Sequence, residues 1–151
     1  MYFFYKGVRV FYKRAGEPKA VFLHGWGGDS QSFSGAENYL NSLGVGYVAP
    51  DLPGFGKSGY DVEWDIFDYA DCVSALIKQM GTVTLVGHSF GGRIALILGN
   101  QKSIEKIVLT GCILLLLLFL LYDAPIRREL KRMPFWRTVR KDVEQELKME
   151  N

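Results

Sequence analysis

The sequence predicts an α/β fold: a mostly parallel sheet with helices on both faces and an N-terminal antiparallel hairpin. Three observations lead there. Short apolar runs alternate with segments whose apolar residues recur at helical spacing, the signature of strand–helix–strand units. The runs at 20–23, 47–49 and 83–86 are close to continuously apolar, as strands covered on both faces must be. Two aromatic and β-branched runs at the start, 2–5 and 8–12, are separated only by Lys6-Gly7, the length of a two-residue hairpin loop.

In order, the run at 20–23 is a strand that ends in His24-Gly25-Trp26-Gly27-Gly28. Phe33, Ala36, Tyr39, Leu40 and Leu43 then recur at helical spacing, and Gly44 supplies a stop. Residues 47–49 form the next strand and lead into Asp51-Leu52-Pro53-Gly54-Phe55-Gly56-Lys57-Ser58-Gly59. From Asp65, the positions Ile66, Tyr69, Ala70, Val73, Leu76, Ile77 and Met80 define an amphipathic helix ended by Gly81. A strand at 83–86, a helix after Ser89 and a strand at 104–110 complete the series. Ligands of such sheets sit beyond the carboxyl ends of the strands. Those ends carry His24, Asp51 and Ser89.

Composition narrows the function. With 151 residues, 48% hydrophobic and 23% charged, the chain has the make-up of a soluble globular protein able to bury a core. A net charge of +2 gives no case for a nucleic-acid partner. Cys72 and Cys112 lie far apart without CxxC spacing, so neither a metal site nor a disulfide framework is expected, and no cofactor is implied. The first residues lack the basic-then-apolar order of a signal peptide, so a cytoplasmic location is expected.

Gly87-His88-Ser89-Phe90-Gly91-Gly92 carries the chemistry. Between a strand and a helix, a Gly-x-Ser-x-Gly turn is sharp and strained. Its glycines let strand and helix approach, and its serine hydroxyl is lifted clear of both. The helix N-terminus behind it offers N–H groups and a positive dipole end to a developing oxyanion. The alternative is an ordinary exposed serine in a glycine-rich connection. In His24-Gly25-Trp26-Gly27-Gly28, adjacent glycines let N–H groups turn into a pocket, where a second donor could meet the Phe90 N–H. The alternative there is a turn whose histidine only satisfies backbone groups. Two further motifs carry little. Gly54-x-Gly56-x-x-Gly59 has the letters of a dinucleotide fingerprint, but no helical pattern starts directly after it. A phosphate-binding loop ending in Gly56-Lys57-Ser58 would need glycine where Asp51 stands.

Taken together and in this order, the His24–Gly28 loop, the Asp51–Gly59 loop and the Gly87–Gly92 turn resemble the α/β-hydrolase superfamily over about residues 2–112. The resemblance implies Ser89 as nucleophile and the backbone N–H groups of Trp26 and Phe90 as an oxyanion hole. His24, Gly25, Gly27, Gly87, His88 and Gly91 would support them, and the Asp51 loop would shape the pocket wall. Serine at 89 resembles the esterase, lipase and C–C hydrolase branch; the dehalogenase and epoxide hydrolase branch carries aspartate there. The expected function is a serine hydrolase acting on a small-molecule, ester-like or other carbonyl substrate.

The chain departs from the family in one respect. A serine nucleophile needs a base, and in this fold the order is Ser, then Asp or Glu, then His. The two histidines, His24 and His88, both precede Ser89. His24 resembles the loop histidine that braces the oxyanion turn, and His88 is a poor base for its own neighbour. Asp123, a downstream carboxylate, follows a leucine tract rather than a strand end. Residues 1–112 are therefore expected to be the N-terminal portion of a hydrolase core, truncated or altered after about the sixth strand, with an incomplete triad and impaired activity. The alternative is a non-catalytic pseudoenzyme or interaction fragment.

Residues 113–151 form a second region: a leucine tract, then a charged amphipathic tail with Phe135, Trp136, Val139, Val143 and Leu147 at helical spacing, expected as a packed helix or cap remnant. The uncharged run 107–122 would reach about 24 Å as a helix, against about 30 Å of hydrocarbon. Since 107–110 belong to the sixth strand, a buried helix or strand extension is expected there. Membrane association through 107–122 is the alternative, and an exposed tract at 113–121 would promote self-association.

Overall fold

Lys6 and Gly7 both have positive φ, +47° and +82°, as a two-residue type I′ hairpin loop requires. They join β1 (Tyr2–Tyr5) to β2 (Val8–Ala15) in antiparallel register, with Tyr5 opposite Val8 and Tyr2 opposite Phe11. The structure, a computed structural model, describes residues 1–60 and 63–111. The chain divides into two units, Met1–Cys112 and Ile113–Asn151. The leucine tract, Asp123, the charged tail, and the membrane and self-association readings built on them lie outside the described residues, as does Cys112.

The strands β3 (Pro18–Leu23), β4 (Gly46–Pro50), β5 (Val83–His88) and β6 (Ile104–Thr110) complete one six-stranded sheet in the order β1-β2-β4-β3-β5-β6. The pairs β3/β4, β3/β5 and β5/β6 are parallel, and β2 pairs antiparallel with both β1 and β4. The sheet is therefore mostly parallel with an antiparallel hairpin at its edge, as expected from the sequence. β2 runs three residues beyond the expected 8–12, because its second half pairs with β4 from Tyr12 opposite Pro50 to Ala15 opposite Tyr47. Lys13 and Arg14 concealed that half as a strand.

Three helices make the crossovers: α1 (Ser34–Ser42), preceded by a 3₁₀ turn at Ser30–Phe33; α2 (Ile66–Ile77); and α3 (Phe90–Leu98). From β3 the chain moves one way to β4, then back past β3 to β5 and on to β6. Right-handed crossovers in opposite directions put their helices on opposite faces. The cores divide accordingly. Val21, Leu23, Val48, Val83 and Leu85 pack with Tyr69, Val73, Leu76 and Ile77 of α2 and Ile94, Ala95 and Leu98 of α3. The alternate residues Ala20, Phe22, Tyr47 and Ala49 pack with Phe33 and Leu40.

Two expectations need correction. On α1, the stripe turned inward is Phe33, Glu37 and Leu40, while Tyr39 and Leu43 are 65% and 57% exposed and Ala36 is exposed. Positions i, i+4 and i+7 make that stripe, and the apolar spacing at 36, 39 and 43 belongs to a neighbouring one. Glu37 is buried because its carboxylate meets the Lys13 ammonium of β2 at 3.1 Å. α2 starts where expected, with the Asp65 carboxylate capping the N–H groups of Phe67 and Asp68, but ends at Ile77. Met80 sits in the following turn, its N–H bonded to the Ile77 carbonyl at 2.8 Å, and still packs on the core.

Candidate active site

Ser89 stands between β5 and α3 with φ +49° and ψ −106°, one of two non-glycine residues with positive φ among the described residues. Backbone in that region costs about 1–3 kcal/mol and persists only where the surroundings impose it. Here they do. A Cβ on Gly91 would overlap the Leu23 carbonyl, and one on Gly87 would lie 2.5 Å from Gly92 Cα, so strand and helix close on each other only because both are glycine. The Gly91 N–H donates to the His24 carbonyl at 3.0 Å, and the Ser89 N–H donates to the Thr110 carbonyl at 3.1 Å. The turn is held from both sides, by the end of β3 and the end of β6.

The loop after β3 departs toward α1 on one face, while the loop after the adjacent β5 enters α3 on the other. The crevice between two such loops is where open α/β sheets take ligands. A cleft of about 570 Å³ lies there, lined by Gly25–Gly28, Ser32, Phe33, His88, Ser89 and Thr110.

Gly25-Trp26-Gly27-Gly28 is a β-turn closed by the Gly28 N–H on the Gly25 carbonyl at 3.0 Å, with Gly27 at φ +75° in the position that type II turns reserve for glycine. It packs against the serine: a Cβ on Gly25 would lie 3.4 Å from Ser89 Cβ. Of the first N–H groups of α3, Gly91 serves His24, and Gly92 and Arg93 serve the Ser89 carbonyl at 3.1 and 3.3 Å. The N–H groups of Trp26 and Phe90 donate to no backbone partner among the described residues. Trp26 is 72% exposed, and its indole stands edge-to-face on Phe55 and Phe90, at 5.1 and 5.2 Å. Phe90 is buried and stacks in turn on Tyr69.

Both histidines are engaged. His24 is fully buried; its Nδ1–H donates to the Gly25 carbonyl at 2.8 Å and its Nε2 accepts the Leu52 N–H at 2.9 Å. Those two bonds fix a neutral tautomer, and burial lowers its pKa below the usual 6.5. His88, at the end of β5, has Nδ1 3.2 Å from Thr110 Oγ1. The Asp51 carboxylate, also buried, accepts the Ser30 and Lys57 N–H groups, each at 2.7 Å. Gly56 has no side chain where a Cβ would overlap Asp51 Oδ2. Asp51 thus ties the loops after β3 and β4 together, with both oxygens occupied. No helix starts at Gly59, the next being α2, so the glycines at 54, 56 and 59 present no helix N-terminus to a phosphate.

The structure brings all nine residues singled out in the sequence (His24, Gly25, Trp26, Gly27, Gly87, His88, Ser89, Phe90 and Gly91) to one end of the sheet. It adds Thr110, which the sequence did not single out. The signal was there in the same form, since Thr110 closes β6 as Ser89 follows β5. Among the described residues, no group of His, Cys, Asp and Glu side chains could hold a metal ion, and no helix is long and apolar enough to cross a membrane.

Known proteins resemble this arrangement. The model of the Alpha/beta hydrolase family matches residues 20–147. The chain is 38% identical over 81 residues to the AB hydrolase superfamily protein YisY of Bacillus subtilis, covering 50% of this chain and 30% of that protein. It is 41% identical over 76 residues to the pimeloyl-[acyl-carrier protein] methyl ester esterase of Shewanella woodyi, covering 50% and 27%. The match spans less than a third of the length of either relative. Among solved structures, an esterase from Exiguobacterium antarcticum superposes with a TM-score of 0.66 at 32% identity, covering 70% of this chain and 42% of that one. The epoxide hydrolase VrEH1 of Vigna radiata gives 0.67 at 26%, covering 72% and 38%. With its sheet order, its strained serine turn and a family match over most of its length, the chain belongs to the alpha/beta hydrolase family.

Proposed function

We propose that this chain carries the nucleophilic half of a hydrolase for small-molecule esters, with Ser89 as nucleophile and the N–H groups of Trp26 and Phe90 as the oxyanion hole. The observation that supports it best is the strained Ser89, packed against the Gly25–Gly28 turn. In this reading Ser89 Oγ attacks the substrate carbonyl, its proton passes to a base, and the tetrahedral oxyanion accepts the two N–H groups. Collapse releases the alcohol and leaves an acyl-serine, which water hydrolyses to the acid and free Ser89.

Serine at 89 favours esters over epoxides for a chemical reason. A serine that opened an epoxide would be left as an ether, which water does not cleave under these conditions. An acyl-serine turns over. An aspartate nucleophile escapes this problem by forming an ester from either substrate.

The base is the missing part. His24 has both ring nitrogens in hydrogen bonds, and His88 adjoins the nucleophile and faces Thr110. Residues 90–151 contain no histidine. The 151 residues alone are therefore proposed to acylate slowly, with the residual help of about 10³-fold that an oxyanion hole and binding give without a triad. The test is covalent labelling by a fluorophosphonate, located by peptide mapping, alongside hydrolysis of p-nitrophenyl acetate. Labelling at Ser89 that disappears in Ser89→Ala supports the reading; a wild-type chain that is never labelled at Ser89 sinks it. The engaged histidines favour a second reading, a pseudoenzyme that keeps the pocket. Substrate-analogue binding without labelling would select it.

A further inference from the structure

Resting on the proposed role of Ser89, we infer that His88 is a positioning residue: its ring is a spacer between Gly25 and Gly111, tethered by Thr110, that sets the gap between the oxyanion turn and the nucleophile. His88 is the last residue of β5 and falls on the same face as Val86, which packs on the α1 side. There the ring lies between the ends of the flanking strands. A Cβ on Gly25 would lie 3.0 Å from His88 Cδ2, and one on Gly111 would lie 2.5 Å from Cε1 and 2.9 Å from Nδ1. Glycine on both sides is the room the imidazole needs.

Thr110 fixes the ring and the nucleophile together. Its Oγ1 meets His88 Nδ1 at 3.2 Å, and its carbonyl accepts the Ser89 N–H at 3.1 Å. Gly25 is also held through its carbonyl, which accepts the His24 Nδ1–H and the Gly28 N–H. The turn bearing Trp26 thus meets two imidazoles at Gly25, the buried His24 through the Gly25 carbonyl and the exposed His88 through its ring edge. Because Gly25 also packs against Ser89 Cβ, the width of the His88 ring, from Cδ2 on the Gly25 side to Cε1 and Nδ1 on the Gly111 side, determines how far the Trp26 N–H stands from Ser89. An oxyanion donor displaced by about 1 Å loses much of its effect, up to about a hundredfold in rate.

The test uses the full chain and two readouts: the rate of fluorophosphonate labelling at Ser89, and the backbone amide NMR signals of Trp26 and Gly27. Thr110→Val keeps the shape and removes the hydroxyl. It should slow labelling about tenfold and shift both amides, while Thr110→Ser restores both. Gly25→Ala should slow labelling strongly beside His88 but much less in the His88→Ala background, because the clash is with the ring; this coupling is the signature of a spacer. Unchanged amides and labelling in Thr110→Val, or a Gly25→Ala effect of equal size in both backgrounds, would overturn the inference while leaving Ser89 as nucleophile. Should the wild-type chain never be labelled, the amide shifts decide alone. Coupled shifts would uphold the spacer and reject the nucleophile, and uncoupled shifts would reject both.

Discussion

The imidazole of His24, with no solvent contact, accepts the backbone N–H of Leu52 at 2.9 Å. That bond joins the loop after β3 to the loop after β4 and requires a neutral ring. Burial, the largest influence, lowers the His24 pKa below 6.5. The unfolded chain therefore binds a proton at His24 as pH falls through about 6.5, before the folded chain does. Stability from this group is complete above that pH and is lost on acidification. Urea midpoints should fall between pH 7 and pH 5, and the gap between wild type and His24→Ala should narrow over the same range. At pH 7.5, His24→Ala should cost about 2–4 kcal/mol, from the cavity and from the unmatched Leu52 N–H.

Glycines of identical sequence weight should respond in opposite directions. Gly91→Ala drives a methyl into the Leu23 carbonyl, which the sheet holds in place, and should cost about 3 kcal/mol. Gly35, in the first turn of α1, has nothing within 4 Å of a built Cβ, so Gly35→Ala should stabilise by about 0.5–1 kcal/mol. Chemical denaturation of the two variants checks both signs.

Ser89→Gly should raise stability as it removes the proposed nucleophile. Glycine accepts φ +49° without penalty, so the variant should gain about 1 kcal/mol by denaturant titration and lose all fluorophosphonate labelling. A loss of stability would mean that the Ser89 side chain makes contacts worth more than the strain it imposes.

Cys72 is buried on α2 against Val8 and Val10, and burial pushes its thiol pKa up to about 12. Almost no thiolate exists at pH 8 in the folded chain. Iodoacetamide should therefore modify Cys72 only on the timescale of opening, and rapidly in 6 M urea. Peptide mapping reads Cys72 separately from Cys112. Fast native modification would show that α2 leaves the hairpin readily.

The legible parts of the molecule were those specified over a few consecutive residues. Lys6-Gly7 announced the hairpin because a two-residue loop leaves little choice of geometry. Gly-x-Ser-x-Gly announced a tight turn because only glycines fit there. The inward face of α1 is hidden in the sequence because a stripe containing Glu37 can be buried only where Lys13 of β2 takes its carboxylate. The second half of β2 was hidden for a related reason: Lys13 and Arg14 look like a loop until β4 supplies its hydrogen bonds. Thr110 is marked in the sequence only by its place at the end of β6, and its part in the site depends on the register that sets it beside His88.

By itself, then, the sequence determined the alternation of strands and helices, the strained serine and the glycine turn after β3. These follow from side-chain period, loop length and the conformational freedom of glycine, all local properties. Only the tertiary structure decided what each group faces. The parallel register that sets His88 opposite Thr110, the opposed crossovers that open a crevice at Ser89, and the bonds that occupy both nitrogens of His24 depend on strands far apart in the chain. Hydrogen-bond pairing and burial act through space, and no window of neighbouring residues contains them.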